Sequence, residues 1–335
     1  MGVELTAPAA VLAIDGGNSK TDVALIGPDG GLLAEVHGAG TSMEASRFAK
    51  SIAVLDKLVA TVATAAGIDP AGPIAEHVSA FHAGLDLPDE EARLAAALAQ
   101  RGWSRDHRIG NDTFAVLRAG SSRTWGVGVT CGAGINCVGV APDGTDTRFL
   151  ALGRLSGDWG GGMDVAREVL WWSIRAEDGR GEPTALHAAT TGHYGLASMH
   201  DVCVAIHLGE LDQARVNELT YVLFDVVETG DAVAGRLVDR LAAEVSLMAL
   251  VAMRRLALTG LDTEVVLGGG LLAAGHARLD RGIEAAILAE APAARLRVLA
   301  APPVVGAALL GLDHIGSGQP AHRALRRAMA GAGRF

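Results

Sequence analysis

VLAIDGGNSKTDVALIGPDGG, residues 11–31, is the most informative stretch of the sequence. An apolar strand, Val11 to Ile14, ends at the acid Asp15, and a turn of glycines and small polar residues follows it. The next residues alternate between apolar and polar up to a turn at residues 28–30, which predicts the second strand of a hairpin. A carboxylate at a strand end, followed by free backbone N–H groups, suits a magnesium-bound polyphosphate.

The Lys20-Thr21 pair superficially matches a P-loop, because two glycines precede it. That motif requires a glycine immediately before the lysine, where this chain has Ser19. It also requires a helix next, where this chain has hairpin periodicity. A glycine-rich β-turn without a ligand is the alternative interpretation of a single motif of this kind.

The same pattern recurs at residues 125–144, WGVGVTCGAGINCVGVAPDG. A strand from Gly126 to Thr130 meets a small-residue turn at 131–134, and a second strand from Asn136 to Val140 closes at another Pro-Asp-Gly turn. Two such units predict duplicated half-domains that face each other across a cleft, with two amide-lined turns gripping one phosphate chain. Chance similarity between two hairpins is the alternative, since such turns are common.

Length and charge limit the functional class. A chain of 335 residues can form two domains with their own cores, and half of its residues are hydrophobic. The formal net charge is −10, which argues against a nucleic-acid surface. Basic residues are scattered except near the end, where Arg323, Arg326 and Arg327 are interpreted as part of a solvated helix or a frayed tail.

Localisation follows from three further features. No apolar run approaches the ~20 residues of a membrane-spanning helix, and the N-terminus lacks the basic and apolar regions of a secretion signal. The cysteines, Cys131, Cys137 and Cys203, form neither a paired framework nor a zinc-ligand spacing. We therefore expect a reduced, cytoplasmic protein without a membrane partner.

Periodicity and turn residues predict a β-β-β-α-β-α-β order for the first 120 residues. After the hairpin, the expected elements are a strand at 32–37, a helix at 48–66, a strand at 77–80, a helix at 90–101 and a strand at 107–110. Further along, residues 166–175 and most of 197–259 have helical composition, with breaks at Gly209 and Gly230. Strands are expected at 264–267 and 297–300, and a helix at 304–315.

These motifs, taken in order, resemble the actin/hexokinase/heat-shock-protein superfamily, and within it the N-acetylglucosamine kinase branch of the BadF/BadG/BcrA/BcrD-type ATPases. The resemblance rests on five segments: DGGNSKT (15–21), NDT (111–113), CGAGINC (131–137), SGDWGGG (156–162) and VVLGGGLL (265–272). It implies an α/β fold of two ribonuclease-H-like domains around a cleft, and a homodimer. The expected domains are 1–120 and 121–302, the second with a helical insertion, and a C-terminal helix at about 303–316 is expected to pack back onto the first.

The resemblance also implies an ATP and Mg²⁺ site. Asp15 would hold Mg²⁺, and phosphate-binding groups are implied on both turns: Gly16, Gly17, Asn18, Ser19 and Lys20 on one, and Gly132, Ala133 and Gly134 on the other. Gly269 and Gly270 follow a strand and would let the adenosine approach the backbone closely. Ala133 departs from relatives, which often carry Thr there, so weaker nucleotide affinity is expected.

The implied sugar-binding residues are Ser42, Asn111, Asp112, Asn136 and Asp158. Asp112 matches the catalytic base of the resembling kinases, and a helix N-cap is the alternative role for this acid. Two departures leave the identity of the sugar open. Ser42 stands where relatives often have Asn, and Trp159 stands where they often have an acid, with burial in the core favoured over stacking on a sugar.

The expected function is therefore ATP-dependent phosphorylation of an amino sugar, most simply N-acetylglucosamine at O6. Glucosamine and N-acetylmuramic acid are alternative substrates. An ATPase that drives a partner reductase is the alternative of another class, and the lack of well-separated cluster-binding cysteines argues against it. The expected partner is a small-molecule sugar, with no nucleic acid.

Overall fold

The computed structural model describes residues 8–332, so the first seven residues of the expected N-terminal domain lie outside the described part. The N-terminal half is built on a five-stranded sheet in the order β3-β2-β1-β4-β5. Its strands are β1 Ala9–Gly16, β2 Lys20–Ile26, β3 Leu32–Ala39, β4 Ala75–His82 and β5 Asp106–Asn111. The hairpin partners of β1 are antiparallel, whereas β4 and β5 run parallel to β1.

The C-terminal half repeats this topology. Its sheet has the order β10-β9-β6-β7-β8, which is the same arrangement read from the other end. Its strands are β6 Gly126–Cys131, β7 Ile135–Val140, β8 Asp146–Arg148, β9 Glu264–Gly268 and β10 Arg295–Val298. The hairpin β6-β7 is antiparallel and β9 is parallel to β6, as β4 is to β1. The duplicated α/β fold expected from the two hairpins is confirmed.

Thirteen helices in the described part of the chain cover or connect these sheets. They are α1 Phe48–Ala65, α2 Pro88–Ala99, α3 Asp112–Gly120, α4 Gly161–Glu177, α5 Ala185–Tyr194, α6 Met199–His207, α7 Gln213–Asn217, α8 Leu219–Val227, α9 Ala232–Arg255, α10 Gly270–Ala273, α11 Ala277–Glu290, α12 Pro303–His314 and α13 Gln319–Ala332. The breaks expected at Gly209 and Gly230 separate α6 from α7 and α8 from α9. No described helix is both long and apolar enough to cross a bilayer.

The buried strand β1 has an apolar layer on each face because successive side chains point to opposite sides. Leu12 and Ile14 pack with Leu55 and other residues of α1. Val11 and Ala13 pack on the other face, in the cluster that includes residues of α12. A continuous apolar strand is therefore the signature of a sheet covered on both faces.

Helix α12 packs against the N-terminal sheet although it follows the C-terminal one in sequence. Ser79 on β4 donates its hydroxyl to the carbonyl of Ala307 at 2.6 Å. At the end of α12, His314 bonds to Asp106 at the start of β5 (2.5 Å), and the same carboxylate oxygen bonds to His77 (3.0 Å). These contacts fix both the middle and the end of α12 on β4 and β5.

The C-terminal basic cluster differs from its interpretation as a solvated or frayed segment. Arg323 and Arg327 are exposed on α13, but Arg326 is half-buried and binds the end of α3. Its guanidinium donates to the carbonyls of Ala119 (2.6 Å), Ser121 (2.7 Å) and Arg118 (3.1 Å). The last turn of a helix leaves carbonyls without partners, and Arg326 supplies donors to them.

Candidate functional site

The site lies at the carboxyl ends of the parallel strands β1, β4 and β5. Asp15 is at the end of β1, His82 ends β4, and Asn111 ends β5 immediately before Asp112. The register pairs residues 15 and 16 of β1 with residues 81 and 82 of β4, and residue 82 with residue 111 of β5. Open α/β sheets bind ligands at this edge, so the sheet places two predicted site acids there together.

Backbone hydrogen bonds hold the first turn in place, one of them within the turn and one from the segment after β3. Gly17 donates its N–H to the carbonyl of Lys20 (2.8 Å), and its carbonyl accepts from Thr41 (2.9 Å). Gly40 lies so close to the carbonyl of Asn18 that a Cβ there would collide with it. The side chains of Asn18, Ser19 and Lys20 remain exposed. The turn is thus preformed and open on its outer side.

Lys20 pairs with Asp22 within this structure. Its ammonium lies 2.8 Å from Asp22, and His37 on β3 bonds to the other oxygen of the same carboxylate at 2.8 Å. The hydrogen bond to Asp22 raises the pKa of Lys20, so its positive charge is maintained at the rim of the turn. Its predicted role toward phosphates stays a prediction.

Two acids repel each other at the strand ends. Burial, followed by the charges of Asp112 and Asp22, raises the pKa of Asp15 well above its usual range, while Lys20 opposes the shift. Burial raises the pKa of Asp112 to about 6. Carboxylates that are held together in this way favour a proton or a cation between them, and oxygen ligands are the donors that Mg²⁺ prefers. Asp15 thus offers oxygen donors of the kind that Mg²⁺ prefers, and its role in holding Mg²⁺ stays a prediction.

The structure separates the two roles considered for Asp112. The N-cap of α3 is Asn111, whose side-chain oxygen accepts from the N–H of Thr113 at 2.9 Å. Asp112 is the first residue of the helix, where its carboxylate interacts with the backbone N–H groups of Asp112 and Thr113 and lies 3.5 Å from the Thr113 hydroxyl. Asn111 therefore supplies the N-cap of α3, and Asp112 adds a negative charge to the first turn of the helix.

The second turn is held by the segment that contains Trp159. Gly162 donates to the carbonyl of Gly132 (2.8 Å), and Met163 donates to the carbonyl of Ala133 (3.0 Å). No atom lies within 4 Å of a Cβ built on Gly132 or on Gly134, so open space lies beside both residues. The structure thus joins two sequence motifs, at 131–134 and 156–162, into one loop assembly, and its role toward phosphates stays a prediction.

The third glycine segment packs beside this assembly. Gly269 has φ +91°, and its Cα lies against the backbone of Cys131, so a side chain there would collide with the start of the second turn. Gly270, the next residue, has open space beside it. This position suits close approach of a nucleotide, and the adenosine role of both residues stays a prediction.

The predicted sugar-binding residues occupy different environments. Asp158 accepts from the hydroxyl of Ser156 at 2.5 Å. Ser42 is buried, and its backbone N–H and carbonyl both bond to the Ser51 hydroxyl at 2.8 Å. Trp159 is only 5% exposed, and Arg240 lies 3.9 Å above its ring, so the packing interpretation of Trp159 is confirmed.

Sequence reasoning missed Asp86. It lies after β4, and one of its oxygens, Oδ1, accepts from Asn111 at 2.8 Å and from Asn136 on β7 at 3.3 Å. Nearby, Arg148 on β8 pairs with Glu91 on α2 at 2.5 Å. Both contacts connect the two halves. The available signal was an acid shortly after a strand that ends at the site edge, the same signal that identified Asp15.

A sequence model of the BadF/BadG/BcrA/BcrD ATPase family matches residues 12–311. The chain is 25% identical over 265 residues to the N-acetylmuramic acid/N-acetylglucosamine kinase of Clostridium acetobutylicum, covering 78% of this chain and 85% of the relative. It is 25% identical over 318 residues to the N-acetyl-D-glucosamine kinase of Dictyostelium discoideum, covering 90% and 97%. The solved structure of a proposed N-acetylglucosamine kinase from Chromobacterium violaceum superimposes with a TM-score of 0.71 at 19% identity, covering 91% of this chain and 99% of that one.

Proposed function

Because the chain belongs to the BadF/BadG/BcrA/BcrD ATPase family, we propose that it is an ATP-dependent sugar kinase that phosphorylates an amino sugar, N-acetylglucosamine first among them. The observation that carries this proposal is the arrangement of the cleft. Each sheet carries a glycine-rich turn between its first two strands, and Asp15 and Asp112 lie at the carboxyl ends of β1 and β5. The two relatives named as amino-sugar kinases support the choice of acceptor.

Phosphoryl transfer requires mainly positioning and charge stabilisation. The backbone N–H groups that are not already bonded within the two turns would bind phosphate oxygens, and Asp15 would hold Mg²⁺. Gly17 and Gly132 already donate their N–H groups to the carbonyls of Lys20 and Gly134. When bound, Mg·ATP supplies the transferred phosphoryl group and neutralises part of its charge. Closure of the two halves over the sugar would exclude water and so limit competing hydrolysis.

Asp112 is the proposed general base. Its carboxylate would accept the proton of the sugar hydroxyl, and a base with a pKa of about 6 is ionised at neutral pH while remaining basic enough to do so. Because Asn111 caps α3, Asp112→Asn should preserve the N-cap and the fold while it lowers kcat by orders of magnitude. An Asp112→Asn variant with near wild-type turnover would show that the base lies elsewhere.

The alternative, an ATPase coupled to a partner reductase through a shared metal cluster, finds little support in the cysteines. Cys131 and Cys137 are fully buried on β6 and β7, in the core of the C-terminal half, and Cys203 lies on α6. Burial raises the pKa of both core thiols, which disfavours the thiolate form that binds metals.

The deciding experiment measures ADP release with Mg·ATP across N-acetylglucosamine, N-acetylmuramic acid, glucosamine, N-acetylmannosamine and glucose. Release that depends on one amino sugar, with a matching sugar phosphate in the products, is the expected result. Release that is independent of every sugar would favour the partner-coupled ATPase. Asp112→Asn serves as the control in each assay.

A further inference from the structure

Asp86 connects the two halves of the molecule at the cleft. Its oxygen Oδ1 accepts two side-chain amides, from Asn111 in the N-terminal half and from Asn136 in the C-terminal half. Both asparagines are predicted sugar-binding residues, so one carboxylate gathers two groups that sequence reasoning assigned to the acceptor. A carboxylate offers about four acceptor positions, and only Oδ1 has hydrogen bonds among the described residues.

The loop that carries Asp86 is held in place. The carboxylate of Glu90 accepts the backbone N–H groups of both Asp86 and Leu87 at 3.0 Å, and Pro88 begins α2 directly afterwards. This capping arrangement fixes the backbone on both sides of the carboxylate. Asp86 is therefore preorganised at the cleft, as a binding group should be.

The charge environment of Asp86 favours a hydrogen-bond donor as its partner. Burial, with the negative charges of Asp112 and Glu90, raises its pKa to about 7, against the opposing effects of Arg148 and Asn111. Arg148 itself bonds to Glu91 rather than to Asp86. A half-buried carboxylate beside a second acid gains from each further hydroxyl that bonds to it.

The two amide contacts are unequal, which bears on how a ligand could enter. The Asn111 contact is 2.8 Å long, and Asn111 is also fixed as the N-cap of α3. The Asn136 contact is 3.3 Å long and crosses between the halves. The longer contact is the weaker one and the easier one to exchange for a ligand hydroxyl.

We propose that Asp86 binds a hydroxyl of the acceptor sugar, exchanging its contact with Asn136 for that hydroxyl when the sugar enters. Asp86 thereby helps to determine which sugars are accepted. This inference rests on the proposed kinase function. It adds to the sugar site a carboxylate that no sequence motif indicates. Asn111, in the N-terminal half, holds this carboxylate in place.

The test compares Asp86→Asn with the wild type in steady-state kinetics. Loss of one charged hydrogen bond predicts a 10- to 100-fold rise in KM for the sugar, on the order of magnitude of such contacts, with KM for ATP within about two-fold. Asp89→Asn is the matched control, because Asp89 is an exposed acid three residues further along, in the first turn of α2. An Asp86→Asn variant with unchanged sugar KM would overturn the proposal.

Deoxy sugars separate a direct contact from a structural tie between the halves. Calorimetry measures the binding of the 3-deoxy and 4-deoxy analogues of N-acetylglucosamine. The wild type should bind the analogue that lacks the contacted hydroxyl more weakly than it binds the parent sugar. In Asp86→Asn, the same analogue should bind as well as the parent sugar, because the contact is already lost. The binding free energy lost through Asp86→Asn and that lost through removal of the hydroxyl could instead add strictly for both analogues. That result would show that Asp86 contacts neither hydroxyl and would overturn the proposal.

Failure of the proposed kinase function and failure of the proposed role of Asp86 give different results. If the wild type neither binds nor phosphorylates any sugar of the panel, the kinase function itself is wrong. If the wild type is active and Asp86→Asn lowers kcat and raises both KM values together, with a lower melting temperature, Asp86 is a structural tie and only this inference fails.

Discussion

The imidazole of His82 occupies the space that a Cβ on Gly16 would need, so the first glycine-rich turn rests directly on a buried histidine. His82 is fully buried at the end of β4, and its Nδ1 lies 3.3 Å from the hydroxyl of Thr41. That hydroxyl in turn lies 3.0 Å from the hydroxyl of Thr21. The turn therefore rests on the uncharged imidazole of His82, because burial lowers the pKa of this residue to about 4.

Gly16→Ala should disrupt this support. The added methyl group collides with a ring that has no free space, and overpacking of this kind costs about 1–3 kcal/mol of unfolding free energy. ATP affinity should fall as well, because the turn shifts. Urea denaturation measures the first effect, and nucleotide titration the second. Gly132→Ala is the control for stability, since open space lies beside Gly132 and its backbone is not in the left-handed region.

His82 should make stability depend on pH. Burial lowers its pKa from 6.5 to about 4, so between these values the unfolded chain binds a proton that the folded chain does not. The contribution of the neutral His82 to the free energy of unfolding is fully present above pH 6.5. It decreases as the pH falls, by about 2 kcal/mol between about pH 6.5 and pH 5. Urea unfolding of the wild type and of His82→Asn across this range measures the difference. Parallel pH curves for the two proteins would contradict the assignment.

Ala133→Thr should strengthen nucleotide binding. Ala133 is exposed, and only its carbonyl is engaged, by Met163, so a larger side chain displaces nothing. A hydroxyl beside the second turn can add one hydrogen bond to a phosphate oxygen, which predicts a ~2- to 10-fold lower Kd for ATP. Ala133→Val has nearly the same shape without the hydroxyl and is the control. Equal gains in both variants would attribute the effect to shape alone.

Arg326→Ala should destabilise the protein although the residue belongs to a basic C-terminal cluster. Three carbonyls at the end of α3 lose charged donors, which predicts a loss of about 2 kcal/mol. Because α3 begins at Asp112, kcat should fall too if the end of the helix shifts. Arg327→Ala, at an exposed position on the same helix, should stay within about 0.5 kcal/mol of the wild type. Thermal unfolding of the two variants checks the contrast.

Local sequence patterns were sufficient to predict the framework of strands and helices. The two hairpins, the strand at 77–80 and the helix at 48–66 all appear, with ends shifted by a few residues. Helix α5 was not anticipated, since residues 185–194 contain glycine, two threonines and two histidines, which weaken the helical pattern. Its N-cap Thr184 and the left-handed Gly195 at its end are local signals that could have identified it.

Contacts distant in sequence could not be inferred in this way. Arg326 looked like a solvent-exposed charge because nothing in residues 319–332 indicates that the end of α3 lies nearby. Asp86 could be identified only through its contacts with Asn111, 25 residues away, and Asn136, 50 residues away.

The sequence alone determined the elements and the chemistry of the two turns, because strand periodicity, glycine content and strand-end acids act within a few neighbouring residues. The tertiary structure alone decided which of these groups meet. Parallel strands bring Asp15, His82 and Asn111 to one edge, and the packing of the two halves places Asp86 against Asn136. The physical reason is that burial and electrostatic coupling, which shift the pKa of Asp15, Asp86 and Asp112, depend on distance in space and not along the chain.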